Sequence, residues 1–131
     1  MARLPLLSYM VVKDGENILN LAQEVRSCFE RHEIPKEALA RAYGAYSPGI
    51  DAILFVDEAD KMFPALNCGI ASVYLQTVLG GKVVQGKYRY HPHTFLLLAG
   101  ITALDITADQ YGGPSVYYGE LTYPWQLPLT Q

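Results

Sequence analysis

Apolar positions follow two rhythms along this chain, helical in the first half and strand-like in the second. Ile18, Leu21, Ala22, Val25, Cys28 and Phe29 recur at three- and four-residue spacing with polar residues between them, which predicts an amphipathic helix over residues 16–32. Pro35 interrupts that pattern and suits the first position of a second helix, Lys36 to about Tyr43. Ser47-Pro48-Gly49 is a turn. The stretch from Ile50 to Met62 carries both signals: Ile53-Leu54-Phe55-Val56 reads as a strand, while Asp57-Glu58-Ala59-Asp60-Lys61 favours helix, and helix is the expectation. Pro64 closes that element and Asn67 is placed to cap the next. From Cys68 to Leu79, Ile70, Ala71, Tyr74, Leu75 and Val78 form one apolar face, and Gly80-Gly81 ends the helix.

Beyond Gly81 the period changes. Strands are predicted over Lys82–Tyr88, Thr94–Leu98 and Thr102–Ile106, with short pieces near Ser115–Tyr117 and Glu120–Tyr123, punctuated by Gly86, Gly100, Gly112-Gly113 and Gly119. Helices first and an antiparallel sheet second is an α+β arrangement, N-terminal helices packed on a small sheet. No repeat or interdomain linker divides residues 1–131, so one domain is expected, long enough to bury a core.

Half of the residues are apolar and 18% charged, a globular composition. The net charge is −3 and no basic stripe is visible, which argues against nucleic acid as a partner. Leu4, Leu6, Leu7, Met10, Val11 and Val12 make an apolar run that Lys13-Asp14 ends, too short for a signal segment with its cleavage site. No run approaches a membrane span. The expectation is a cytoplasmic protein, or one exported without a cleaved signal. Two cysteines make no disulfide framework. Ten tyrosines are many for this length, and those of the C-terminal third suit a partly wet surface through which an oligomer can form.

Three segments carry candidate chemistry, in this order: Asn67-Cys68-Gly69, His93-Thr94-Phe95, and Asp105-Ile106-Thr107-Ala108-Asp109-Gln110. A thiol in the first turn of a helix gains from the positive end of the helix dipole, which favours thiolate. Free N–H groups at that end can donate to an oxyanion. His93 opens a strand whose interior, Phe95-Leu96-Leu97-Leu98, is apolar on both faces and so suits a central position. A three-residue loop at Ala99-Gly100-Ile101 would pair Leu98 with Thr102 and Phe95 with Asp105, leaving His93 and Asp105 diagonal on one face. A two-residue loop would put them on opposite faces. Cys28, on its apolar stripe, reads as a core residue. His91 rivals His93, but Pro92 favours a loop there. Asp109 is a second candidate for the group that orients the imidazole. No metal site is expected, since His91, His93 and Cys68 lack an evident fourth ligand.

Together, from Phe63 to Tyr111, these segments resemble the papain-like and transglutaminase-like cysteine hydrolase superfamily. Phe63-Pro64 upstream of Asn67-Cys68-Gly69, Ala71-Ser72 in the helix, and His93 followed by the stretch from Asp105 to Gln110 look like bacterial and phage-borne papain-fold proteins, some of which are effectors or toxins that cleave or deamidate proteins. The resemblance implies a papain-like fold and a Cys68–His93–Asp105 triad without cofactor. Its activity would be hydrolysis or transfer at an amide or thioester carbonyl of a protein or peptide substrate. Many such proteases carry an oxyanion-donating Gln several residues before the cysteine. Here the nearest upstream Gln is Gln23, so backbone N–H groups, Asn67 or Gln110 would have to serve. The competing expectation is a binding or assembly module that keeps the fold without turnover.

Overall fold

The computed structural model describes residues 15–129. The apolar run Leu4–Val12 lies outside them. Among the described residues, four α-helices form where the apolar faces recur: α1 (Gly15–Glu30), α2 (Lys36–Tyr46), α3 (Ala52–Asp60) and α4 (Cys68–Leu79). The ambiguous third segment is helical because Asp51 caps it, accepting the Leu54 N–H at 3.1 Å, and because Val56 and Ala59, one turn apart, both enter the core. Asn67 stands at the cap position of α4 without capping it: its side chain makes no bond to the helix.

The sheet comprises β1 (Lys82–Tyr88), β2 (His91–Leu98), β3 (Thr102–Asp105), β4 (Tyr117–Glu120) and β5 (Trp125–Gln126). All pairings are antiparallel, in the spatial order β4-β3-β2-β1-β5, and the sheet is curled. β2 is central and begins at His91, three residues earlier than predicted. His91 pairs with Tyr88 across a tight turn in which Arg89 has a φ of 56°, so it belongs to the strand and not to a loop. The two C-terminal strands are displaced from the predicted pieces near Ser115–Tyr117 and Glu120–Tyr123. They form where Tyr117 and Trp125 stack, with ring centroids 3.9 Å apart. Where β5 crosses β1, a Cβ on Gly86 would collide with the Gln126 carbonyl, so only glycine permits that approach.

The sheet separates two apolar layers. On one face, Leu96, Leu104 and Ile106 meet Leu21, Val25 and Phe29 of α1 and Ile70, Ala71 and Leu75 of α4. On the other, Val84, Tyr88, Phe95, Ala103, Ala108 and Trp125 close on one another. The β2–β3 register pairs Leu98 with Thr102, Leu97 with Ala103 and Leu96 with Leu104, as the three-residue loop at Ala99-Gly100-Ile101 requires. Alternation then puts His93 and Asp105 on the face of Phe95 and Ala103. Among the described residues no helix is long and apolar enough to cross a membrane.

Candidate active site

The first turn of α4 is held against β2 close to His93. Ser72, four residues after Cys68 and therefore on the same helix face, donates its hydroxyl to the Thr94 carbonyl at 3.2 Å. Ile70, Ala71 and Leu75 bury the rest of that side. Cys68 is thus tied to the strand residue that follows His93 by packing and by a hydrogen bond one turn away.

His93 is buried, with its side chain fully screened from solvent. Its Nε2 meets Asp105 Oδ2 at 2.6 Å. Its Nδ1 is buried and completes no hydrogen bond among the described residues, which leaves that nitrogen for the thiol. The Tyr111 ring stands edge-on to the imidazole, centroids 5.4 Å apart, and Tyr88 does the same within that layer at 6.2 Å. Tyr111 in turn stacks flat on His91 at 4.4 Å and donates its hydroxyl to the Pro92 carbonyl at 3.2 Å. His91 therefore packs against the aromatic wall, one residue removed from the imidazole that meets the carboxylate.

Four donors converge on Asp105. Besides His93, the Trp125 indole N–H donates to Oδ2 at 2.7 Å, the Thr107 N–H to Oδ1 at 2.9 Å, and the Thr107 hydroxyl to Oδ1 at 3.4 Å. A buried carboxyl group needs such partners to be tolerated. Neither Trp125 nor Thr107 stood out in the sequence. Trp125 is 20 residues and three strand pairings away, and no periodicity links it to Asp105.

The electrostatics bind the trio together. Burial alone would push the Cys68 thiol up, but the net shift is downward. Burial is the largest single influence, and only the sum of the lowering ones outweighs it: the nearby His93 side chain first, then the Thr94 backbone, the charge of His93 and the Thr94 hydroxyl. Burial opposes charge on His93 as well, yet its pKa rises to about 9, through the hydrogen bond to Asp105, the nearness of the Cys68 thiol and then the charges of both. A depressed thiol beside an elevated imidazole favours the thiolate–imidazolium pair. Two phenols feel the charge of Cys68. Burial raises Tyr111, and the nearby Cys68 adds to the shift; burial, Tyr46 and Cys68 raise Tyr43.

Three expectations change. Asn67 cannot serve as an oxyanion donor: its side-chain nitrogen is committed to the Ala59 and Ala65 carbonyls, at 2.8 and 2.9 Å, and the residue is buried. It instead ties the end of α3 to the start of α4. Gln110 donates its side-chain amide to the Thr107 carbonyl at 3.1 Å, and among the described residues no contact brings it to Cys68 or His93. Asp109 is not an alternative partner for the imidazole. It takes a two-point salt bridge from the buried Arg26, both contacts 2.7 Å, and Arg26 also donates to the Ile106 carbonyl at 2.8 Å. Asp105 and Asp109 thus divide orientation of the imidazole and anchoring of the loop between them. Compared with known proteins, the chain matches no family model, no curated protein and no solved structure.

Proposed function

We propose that this protein is a cysteine-dependent hydrolase or acyl-transferase acting on an amide or thioester carbonyl of a protein or peptide, and that its domain is papain-like. Cys68 attacks as thiolate, His93 carries the proton to the leaving group and then takes one from water, and Asp105 holds the imidazole through Nε2. One observation carries the reading: a buried imidazole has one nitrogen fixed by a carboxylate and the other unpaired, while a neighbouring thiol at a helix start is shifted down despite burial. A merely structural histidine would have both nitrogens satisfied.

The pair has a definite pH range. Thiolate appears as pH rises through the lowered Cys68 pKa, and the imidazolium is lost as pH rises through about 9. Cleavage and glutamine deamidation use the same groups, so either outcome fits this centre. Exposure to p-nitrophenyl acetate tests the reading. Wild type should release a burst of nitrophenolate and carry the acetyl group on Cys68. His93→Ala should lose the burst, and His91→Ala should keep it. Acetylation spread evenly over Cys28, Cys68 and lysines would contradict the proposal.

A further inference from the structure

With Asn67 and Gln110 both committed elsewhere, the centre needs another donor for an oxyanion. We propose that the Tyr43 hydroxyl supplies it, acting with the free backbone N–H groups at the start of α4; this rests on the acyl-transfer reading of Cys68 and His93. The hydroxyl lies over the first turn of that helix. A Cβ built on Gly69 would stand 3.1 Å from Tyr43 Cε1 and 3.2 Å from its hydroxyl oxygen. The absence of a side chain at Gly69 is what lets the phenol come so close to the residue next to the nucleophile. The ring is braced from behind by Phe55 and Tyr46, with centroids 5.3 and 5.8 Å away. Tyr46 is itself fixed by the Gln85 amide, which donates to its hydroxyl at 2.8 Å.

Both kinds of donor are unspent. The first bonded N–H of the helix is that of Ala71, which donates to the Asn67 carbonyl at 2.8 Å; those of Cys68, Gly69 and Ile70 have no acceptor among the described residues. The Tyr43 hydroxyl likewise makes no hydrogen bond there, whereas the Tyr46, Tyr111 and Tyr117 hydroxyls each have a partner. The buried Nδ1 of His93 also completes no hydrogen bond among the described residues, and both it and Tyr43 lie near enough to Cys68 to feel its charge. Burial, then Tyr46 and Cys68, raise the Tyr43 pKa, which favours the protonated, donating phenol beside a forming thiolate.

In the reaction, the Cys68 sulfur forms a bond to the carbonyl carbon and the carbonyl π pair moves onto oxygen. That oxygen accepts hydrogen bonds from Tyr43 and the backbone, without taking the phenolic proton. Collapse restores the carbonyl and breaks the bond to the leaving group. An amine leaves with a proton from His93, whereas nitrophenolate leaves as the anion. Removing one such donor costs on the order of 10²–10³ in rate.

The experiment compares acylation by p-nitrophenyl acetate with alkylation by iodoacetamide in wild type and Tyr43→Phe. Alkylation displaces iodide at a saturated carbon and forms no oxyanion. Phe keeps the ring against Gly69, Phe55 and Tyr46. The expected result is acylation of Cys68 slowed by roughly 10²-fold or more, with alkylation of Cys68 at the wild-type rate. Acylation at the wild-type rate would overturn the role of Tyr43 and leave the acyl-transfer reading standing. Equal loss of acylation and alkylation would also overturn it, since the phenol would then be supporting the fold or the thiolate. If wild type fails to acylate at Cys68 at all, the acyl-transfer reading itself falls, and Tyr43 with it.

Discussion

Cys28 and Cys68 both sit on helices of the same small domain, yet their surroundings push them in opposite directions. Cys28 faces the core from the last turns of α1. Burial is the main influence there and raises its pKa, with Arg31 opposing and Glu33 and Glu24 adding to the rise. Cys68 is also largely removed from water, but it opens a helix and lies beside His93 and Thr94, and its pKa falls. Burial therefore does not decide whether a thiol is inert or reactive. The decision lies with the donors and the charge that burial brings next to it.

Removing each sulfur is the strongest way to break this comparison. Cys68→Ala should abolish acyl transfer altogether while Cys28→Ala retains it, measured by nitrophenolate release. Next in size is the group behind the imidazole. Asp105→Asn should reduce turnover by about 10⁴-fold, because an amide favours the wrong imidazole tautomer. It should also lower the His93 pKa from about 9 toward the ordinary imidazole range, read by NMR titration, since Asp105 is the largest source of the rise. In Cys68→Ala the same titration should fall by less, as Cys68 contributes after Asp105.

Smaller effects separate chemistry from scaffold. Asp109→Asn should keep acylation within a few-fold of wild type and cost about 2 kcal/mol of stability, because it weakens the charged hydrogen bonds that Arg26 directs at this loop. A denaturant midpoint measured beside the acylation rate checks both halves. Smallest is Cys28→Ala, with a stability loss on the order of 1 kcal/mol from one buried sulfur and no change in acylation.

The parts of the molecule legible in the sequence are those set by local pattern. The span of α4, the length of β1 and the β2–β3 loop follow from apolar period and bracketing glycines, and the pairing of His93 with Asp105 follows from that loop. The illegible parts depend on partners distant in sequence. Asn67 has the right type and place for an oxyanion donor, but the Ala59 and Ala65 carbonyls at the α3–α4 junction claim its amide. Trp125 reaches Asp105 only because β5 folds back onto β1. Tyr43 lies a full helix before Cys68, and its relevance appears only when α2 packs over Gly69. The short C-terminal strands have no period of their own and form where aromatic stacking puts them.

The most direct test of a reactive Cys68 beside an inert Cys28 is competitive alkylation of the native protein by iodoacetamide across pH, with the label located by peptide mass spectrometry. Cys68 should be labelled first, at a pH below the ordinary thiol range, with that low-pH reactivity lost in His93→Ala and kept in His91→Ala. Labelling of Cys28 as fast as Cys68, or a Cys68 rate that follows an ordinary thiol and ignores His93, would contradict it.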